Sequence, residues 1–286
     1  MENLYNETLF IMKKYGITAN KRLGQNFLID EFVIEEICDT AEVSSSDLII
    51  EIGPGIGSLT AVLVEKAGKV ISVEIDEKML KILNDRFKFY NNFELINEDI
   101  LKVDLNKLIK ENLNDKITKC KIVANLPYYI TTPIIIKLLE ENLNVESITI
   151  MVQKEVAERL AAIPGSKNSG AISHLIYYHV DSSLAIKVYR DSFIPAPDVD
   201  SAVINMKFLK EPRIKIEDEK LFFDIIKAAF SQKRKTLVNG LVNNNFFSSK
   251  EETEKALTLV GLDSKIRGEK LTLEDFKKIY DIIKGV

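Results

Sequence analysis

The sequence has few of the residues that build disulfide frameworks or structural metal sites. Its 286 residues include two cysteines, two histidines and no tryptophan. Cys38 and Cys120 lie in separate apolar segments with no paired cysteine or histidine nearby. This excludes a disulfide framework and a structural zinc site, and it is typical of a reducing cytoplasm. His174 and His179 have no third ligand at metal spacing, so we predict no metal site.

Long hydrophobic runs are also absent. No apolar run reaches the ~18 residues that a membrane span needs. Glu2 and Glu7 stand where a signal peptide would be positively charged. We therefore expect a cytoplasmic protein that neither enters a membrane nor is secreted. The composition, 46% hydrophobic and 29% charged, is that of a globular protein, and the length suggests roughly two domains.

Positive charge is concentrated in two segments of an acidic chain. The net charge is −4, which by itself does not favour a nucleic-acid partner. Residues 8–29 and 225–240 each carry four basic residues and no acidic one. A single cluster of this kind is usually a solvated face. Two of them in one acidic chain indicate an anionic polymer as a partner.

Between Asp47 and about Lys210, β-branched apolar runs alternate with helical patterns. The runs predict strands at Leu48–Ile52, Val70–Ile75, Phe93–Ile96, Lys121–Ala124 and Ser147–Val152. Helices are predicted at Leu59–Lys66, Lys78–Phe87 and Pro133–Glu140, with an earlier one at Glu31–Thr40. Strands that alternate with helices predict an α/β fold with a parallel sheet covered on both faces. Leu184–Val188 and Ala202–Phe208 predict an antiparallel addition at one sheet edge.

Beyond about Glu211 the strand patterns end, and the chain is predicted to be helical. Helical periodicity runs over Glu219–Phe230, Glu251–Val260 and Glu274–Ile283. Ser249 with Glu252, and Thr272 with Asp275, have the spacing of capping boxes. We therefore predict two domains: residues 1–210, with a helical preface over 1–46, and a small helical domain over 211–286.

A glycine-rich loop follows the first predicted strand of the sheet. Glycines at positions 53, 55 and 57 allow the backbone to turn sharply and lie against a ligand. Glu74 ends the next strand, 21 residues after Gly53, which is the spacing at which an acidic side chain meets ribose hydroxyls. Asp99 ends the strand after that. The pattern predicts a nucleoside-containing ligand at the strand ends.

The loop departs from a dinucleotide fingerprint, and this bears on the ligand. The third glycine stands at 57, position 54 is proline, and Glu51 precedes the loop. A carboxylate so close would repel a pyrophosphate, but it suits a ligand that carries an ammonium and a sulfonium group. S-adenosylmethionine is such a ligand, and Asp99 would accept from its adenine amino group.

A second loop has the residues that methylation of an adenine amine requires. Asn125-Leu126-Pro127-Tyr128 follows the strand Lys121–Ala124. The amine lone pair is delocalised into the ring, so two acceptors must hold the amine hydrogens and turn the lone pair toward a methyl donor. The side chain of Asn125 and the carbonyl of Leu126 can be those acceptors. Pro127 would stiffen the loop, and Tyr128 offers a face on which a flipped base stacks.

Taken together, the motifs resemble those of the KsgA/RsmA ribosomal RNA adenine dimethyltransferases, which are kin of the Erm resistance methyltransferases. The resemblance covers nearly the whole chain. The matching stretches are residues 21–28, 51–57, 73–76, 98–100, 125–128, 153–160, 164–167, 193–201 and 230–237. Tyr129 departs from the pattern, because many relatives carry asparagine there.

The resemblance implies a Rossmann-like S-adenosylmethionine-dependent fold and a set of site residues. Its implied cofactor contacts are Asn26, Leu28, Gly53, Gly55, Glu74, Asp99 and Asn125. Its implied catalytic residues are Asn125, Leu126, Pro127, Tyr128 and Phe193, with Phe193 as a second aromatic wall. From the sequence alone, Phe193 is instead a buried anchor before a Pro-x-Pro turn. S-adenosylhomocysteine would be the product, and no metal is needed.

The implied substrate is a pair of adjacent adenosines near the 3′ end of 16S rRNA, inside an assembling 30S subunit, bound by a monomer. The basic residues predicted to grip RNA phosphates are Lys21, Arg22, Lys233, Arg234 and Lys235. Residues 21–28 and 164–167 favour this housekeeping branch of the family. Two alternatives stay open: Erm-type methylation of 23S rRNA, and a non-catalytic RNA-binding assembly factor of the same fold.

Overall fold

The structure, a computed structural model, describes residues 3–20, 23–232 and 235–285. The chain forms two compact units. The first comprises Met1–Ala157 with Ser183–Phe208, and the second comprises Glu158–Ser182 with Leu209–Val286. No helix in these described ranges is long and apolar enough to cross a bilayer.

The first unit contains the strands of the sheet and the helices around it. The strands are β1 (Phe27–Leu28), β2 (Asp47–Ile52), β3 (Lys69–Glu74), β4 (Phe93–Asn97), β5 (Lys119–Asn125), β6 (Ser147–Gln153), β7 (Val180–Val188), β8 (Phe193–Ile194) and β9 (Ser201–Phe208). The helices that precede β7 in the chain are α1 (Leu4–Tyr15), α2 (Glu31–Thr40), α3 (Ser58–Lys66), α4 (Glu77–Phe87), α5 (Leu105–Asn112), α6 (Thr131–Glu140), α7 (Lys154–Leu160) and α8 (Ala171–His179). Of these, α8 belongs to the second unit. The chain enters the second unit within α7 and leaves it within β7.

Seven strands form one sheet in the order β4-β3-β2-β5-β6-β9-β7. The pairs from β4 to β6 are parallel, and β9 pairs with β6 antiparallel. The predicted α/β fold and its antiparallel addition at one edge are therefore confirmed. Every residue of β2 is buried, as expected for a central parallel strand covered on both faces.

A two-stranded sheet joins distant parts of the first unit. β1 pairs antiparallel with β8, with Phe27 opposite Ile194 and Leu28 opposite Phe193. The Ile29 N–H donates to the Ser192 carbonyl at 2.9 Å, which extends the pairing by one bond. Two-residue strands carry too little pattern to be predicted from sequence, so this pairing emerges only from the tertiary structure.

The second unit is helical. After α8 it contains α9 (Glu219–Phe230), α10 (Leu237–Asn243), α11 (Lys250–Leu259) and α12 (Leu273–Lys284). The predicted division at residue 210 differs from this unit in one respect, because residues 158–182 belong with the helices. Burial explains the difference: Tyr178 of α8 packs its ring against Phe222 and Phe223 of α9, and its hydroxyl donates to Glu219 at 2.8 Å.

Two features of the second unit differ from what helix propensity and capping patterns predict: a glycine inside helix α10, and one of the two predicted capping boxes. Gly240 lies inside α10, although glycine disfavours helix interiors. A Cβ on Gly240 would lie 2.6 Å from the Ala228 carbonyl oxygen, so close packing on α9 requires the glycine. The capping box at Thr272 and Asp275 forms as predicted. At α11 only the Ser249 half forms, because the Glu252 carboxylate accepts from the Ser248 N–H instead.

One buried ion pair lies at the amino end of the sheet. The Lys121 ammonium on β5 donates to the Asp47 carboxylate on β2 at 3.0 Å and to the Glu42 carbonyl at 2.6 Å. The Asp47 side chain is fully buried, and that of Lys121 is 6% exposed. Removing one partner of such a pair leaves an uncompensated buried charge.

We expect Lys121→Met to lower the free energy of unfolding by about 3–5 kcal/mol, because Asp47 loses its counter-charge. Urea denaturation followed by circular dichroism measures this loss. The matched control is Lys119→Met on the same strand, where Lys119 pairs with Glu146 at 2.7 Å while both side chains are more than 40% exposed. That exposed pair is expected to contribute less than about 1 kcal/mol. Equal losses in the two variants would contradict the assignment.

Candidate active site

The glycine-rich loop has two functions in the structure. Gly53, Gly55 and Gly57 all have positive φ, at 67°, 59° and 86°. A Cβ on Gly57 would lie 2.6 Å from the Phe87 ring, so this glycine permits the close approach of α3 and α4. Gly53 and Gly55 line a cavity, whereas Gly57 does not. The third glycine is therefore a packing residue.

A cavity of about 350 Å³ opens at the carboxyl ends of the parallel strands. Five segments of the described chain line it: residues 23–28, the glycine-rich loop after β2, the end of β3, the end of β4, and the loop after β5. All seven cofactor residues predicted from the sequence lie on its wall, namely Asn26, Leu28, Gly53, Gly55, Glu74, Asp99 and Asn125. The ligand for which they were predicted stays a prediction at this point.

Glu74 connects the end of β3 to the glycine-rich loop. Its carboxylate accepts from the Gly55 N–H at 3.2 Å, and from the N–H groups of Ile75 and Asp76 at 2.9 and 2.8 Å. Burial raises the pKa of Glu74, and these backbone bonds oppose that rise. The carboxylate is therefore held in one orientation, with its free lone pairs available to a ligand in the cavity.

Apolar residues next to the acidic ones complete this part of the wall, and sequence reasoning missed them. Ile75 follows Glu74 and Ile100 follows Asp99, and both line the cavity. Ile75 is 51% exposed, which is unusual for an isoleucine at the end of a buried strand. An apolar residue directly after each acidic strand end is the signal that would have identified them, because flat apolar ligands need such surfaces.

Glu51 is a buried carboxyl at the cavity wall with incomplete hydrogen bonding. Its Oε2 accepts from the hydroxyls of Thr60 and Ser72 at 2.7 and 2.6 Å. Its Oε1 is buried and has no hydrogen-bond partner among the described residues. Burial raises the pKa of Glu51 to about 7, opposed by the two hydroxyl bonds and reinforced by the charge of Glu74.

The charge of the cavity is negative. Glu51, Glu74, Glu98 and Asp99 line it, and no lysine or arginine occurs among the lining residues that the structure describes. Such a wall repels phosphate groups and attracts a cation. The cavity is therefore suited to a ligand that combines apolar rings with positive charge.

The loop after β5 forms the other end of the cavity. The Leu126 N–H donates to the Met151 carbonyl at 3.1 Å, and the Thr131 hydroxyl donates to the Pro127 carbonyl at 3.0 Å. The Asn125 amide donates to the Asn26 carbonyl at 3.5 Å, a long bond that brings residues 99 positions apart together. Asn125, Leu126, Pro127 and Tyr128 all line the cavity, and so does Tyr129, which is 55% exposed.

Phe193 does not line the cavity in this structure. Its side chain is 3% exposed and belongs to the hydrophobic core, and its backbone pairs with Leu28. This is the place of the buried anchor that the sequence alone suggests. The role of a second aromatic wall, implied by the family resemblance, stays a prediction to which this geometry adds nothing.

The predicted RNA contacts are described only in part. Lys21, Arg22, Lys233 and Arg234 lie outside the described residues. Lys235 is exposed, and its N–H donates to the Gln232 carbonyl at 3.0 Å. The positions of these residues relative to RNA stay a prediction.

Comparisons with known proteins identify the family. Residues 16–285 match the model of the family described as ribosomal RNA adenine dimethylase. The chain belongs to this family. It is 48% identical over 273 residues to ribosomal RNA small subunit methyltransferase A of Clostridium botulinum (strain Kyoto / Type A2). The aligned residues cover 96% of this chain and 97% of that protein. The resemblance found in the motifs is thereby confirmed.

Solved structures related to this dimethylase-family chain share its fold. A dimethyladenosine transferase from Plasmodium falciparum superposes with a TM-score of 0.71 at 27% identity, covering 91% of this chain and 98% of that chain. The 23S rRNA methyltransferase ErmE superposes with a TM-score of 0.66 at 24% identity, covering 91% and 100%. The second likeness concerns the fold alone. The predicted Rossmann-like methyltransferase fold is confirmed.

The buried Glu51 of this family member predicts a pH-dependent stability. Its pKa is about 7 when folded and about 4.3 in an unfolded chain. The folded state thus holds the extra proton between these values, and stability falls as pH rises through them, by about 3 kcal/mol in total. We expect Glu51→Gln to remove this decline, so that the variant gains stability relative to wild type from pH 4.5 to pH 8.

Urea denaturation of both proteins across this range is the measurement. Apart from Glu74, whose charge interacts with that of Glu51, the other titrating groups are common to both proteins and largely cancel in the difference. A difference between the two that stays constant with pH would contradict the assignment.

Proposed function

We propose that the protein is an S-adenosylmethionine-dependent methyltransferase that converts two adjacent adenosines near the 3′ end of 16S rRNA to N6,N6-dimethyladenosine. Its substrate would be the assembling 30S subunit in the cytoplasm. One observation carries this proposal: a single cavity brings the Asn125–Tyr128 loop beside the acidic strand ends of β3 and β4. Family membership and the 48% identical small-subunit methyltransferase support it.

The acidic and apolar residues that line the cavity support S-adenosylmethionine as its ligand. Glu74 would hold the ribose hydroxyls, and Asp99 the adenine amino group, with Ile75 and Ile100 as apolar neighbours of the rings. The unpartnered Oε1 of Glu51 offers an acceptor for a cationic group. When bound, this cofactor would supply a methyl group on a sulfonium; an amine would bond to the methyl carbon as the C–S bond breaks, and S-adenosylhomocysteine would leave as a neutral thioether without a metal.

The loop after β5 prepares the adenine amine. Asn125 Oδ1 and the Leu126 carbonyl would accept the two amine hydrogens, which turns the nitrogen lone pair out of the ring and toward the donor. Tyr128 would stack on the extruded base. The proton leaves after attack, so no strong general base is needed. After one transfer the nitrogen keeps one hydrogen, which the same acceptors can orient again.

Binding of the RNA would depend on the basic segments. Lys13 and Lys14 are exposed at the end of α1, and Lys227 is exposed on α9. Together with the predicted contacts Lys21, Arg22, Lys233, Arg234 and Lys235, they supply positive charge to a chain of net charge −4. Contacts of this kind bind phosphates, which makes the affinity depend on salt. We propose that a monomer binds in this way.

Transfer of radioactive methyl groups tests the substrate. Purified protein and labelled S-adenosylmethionine are incubated with immature 30S subunits, naked 16S rRNA and 50S subunits. We expect label in dimethyladenosine of the immature 30S subunit. Label in the 50S subunit would favour Erm-type activity, and binding without label would favour a non-catalytic assembly factor.

Asn125→Ala is expected to lower the rate of methyl transfer by at least about 100-fold, because the amine loses an acceptor that acts on the transition state. Calorimetric affinity for S-adenosylmethionine should stay within a few-fold of wild type. Wild-type turnover in this variant would refute the assigned role.

The contrasting variant is Glu74→Ala. It removes the carboxylate that is predicted to hold the ribose, and with it the bond to the Gly55 N–H. We expect its main defect in cofactor affinity rather than in orientation of the amine. An unchanged calorimetric affinity would contradict the ribose contact.

A further inference from the structure

The ring of Tyr128 is held at its outer end by a residue outside the cavity. The Tyr128 and Ser201 hydroxyls lie 2.5 Å apart and share a hydrogen bond. Ser201 is the first residue of β9 and stands 73 positions later in the chain. It is fully buried and does not line the cavity, so it cannot touch a ligand there directly.

Ser201 is a fixed point in the fold. Its backbone pairs with Gln153 in the β6–β9 ladder. The preceding Asp200 is held at three points. Its carbonyl accepts from the Lys154 N–H at 3.0 Å, and its carboxylate pairs with Lys187 at 2.9 Å and accepts from the Arg190 N–H at 3.3 Å. A buried hydroxyl on a strand anchored in this way has little freedom to move.

Tyr128, in contrast, stands in the middle of a loop. The loop is held by a bond at Leu126 before Tyr128, and by bonds from the Ile130 N–H and the Thr131 hydroxyl to the Pro127 carbonyl. Backbone bonds on either side place the Cα of Tyr128, but they leave the ring free to rotate about two side-chain torsions. A hydrogen bond at the phenol oxygen, the atom farthest from the backbone, fixes the direction of the long axis of the ring and so restricts the first torsion.

We propose that Ser201 is a positioning residue that fixes the direction of the Tyr128 side chain, and with it the place of the ring, for stacking on the target base. This inference rests on the proposed function, because it needs Tyr128 to stack on an adenine. The bond forms before the substrate arrives. The entropy cost of fixing the ring is therefore already met in the folded protein and does not weaken binding of the base. Burial raises the pKa of Tyr128, so the phenol stays protonated and the bond persists at physiological pH.

The rival explanation is that the two hydroxyls only stabilise the fold. A structural bond would change the free energy of unfolding and leave the chemistry alone. A positioning bond would change the rate of methyl transfer while substrate and cofactor still bind. The two explanations therefore separate in the balance between kcat and KM, and in a double-mutant cycle.

The experiment compares Ser201→Ala, Tyr128→Phe and the double variant in methyl transfer to the immature 30S subunit. We expect each single variant to lower kcat by roughly two- to tenfold, with KM for S-adenosylmethionine unchanged. The double variant should be no worse than either single one, because all three lack the same bond. Additive losses, or wild-type kcat in Ser201→Ala, would overturn the proposal.

The matched control is Thr149→Val. Thr149 is fully buried on β6, and its hydroxyl donates to Asn205 of β9 at 3.2 Å, so the variant removes another buried hydroxyl from the β6–β9 ladder, one whose partner is Asn205 and not Tyr128. We expect wild-type kcat. A loss equal to that of Ser201→Ala would make the effect a general one of strand stability, and would overturn the positioning role.

A spectroscopic readout tests the bond without relying on activity. In protein labelled with 3-fluorotyrosine, the Tyr128 resonance is the one that disappears in Tyr128→Phe. Ser201→Ala should shift it and Thr149→Val should not; an unmoved resonance in Ser201→Ala would overturn the proposal. If the wild-type protein transfers no methyl group, the proposed function fails as well. If wild type transfers methyl groups and Ser201→Ala matches it, only the positioning role fails.

Discussion

The parallel register of the central strands is the constraint on which the candidate site depends. β2 pairs with β3 on one side and with β5 on the other, with Glu51 opposite both Ser72 and Val123. All these strands point the same way, so their carboxyl ends meet at one edge of the sheet. The glycine-rich loop, the carboxylate of Glu74 and the loop that starts at Asn125 are therefore neighbours. A change of register by one residue would exchange the faces of the side chains and disperse them.

Strand β2 carries two buried carboxyl groups, Asp47 and Glu51, whose partners differ. At its amino end Asp47 is neutralised by the ammonium of Lys121. At its carboxyl end Glu51 receives only two hydroxyl bonds, and one of its oxygens has no partner among the described residues. The first arrangement includes a counter-charge, although the Asp47 Oδ1 is also buried without a hydrogen-bond partner among the described residues. The second leaves a buried acceptor at the wall of a negative cavity, which explains both its raised pKa and its suitability for a cation.

The segment that follows residue 190 supports the site without entering the cavity. Phe193 and Ile194 pair with the strand Phe27–Leu28, which forms part of the cavity wall. A few residues later Ser201 bonds to the ring of Tyr128. The stretch from Phe193 to Ser201 thus contacts two lining segments of the cavity, at Phe27–Leu28 and at Tyr128, without lining the cavity itself. This gives a physical reason for its place among the stretches that carry the family resemblance, independent of any direct contact with a ligand.

The amino-acid sequence by itself determined the alternation of strands and helices, the acidic residues at successive strand ends and the family. These signals are local: periodicity, the spacing from Gly53 to Glu74, and the run from Asn125 to Tyr128. Only the tertiary structure decided that Gly57 serves helix packing, that Phe193, whose burial the sequence suggested, does not line the cavity, and that residues 158–182 join the helical unit. It also decided the contact of Tyr128 with Ser201. Each of these depends on residues far apart in the chain, and their approach is set by how buried surfaces pack, which local pattern does not encode.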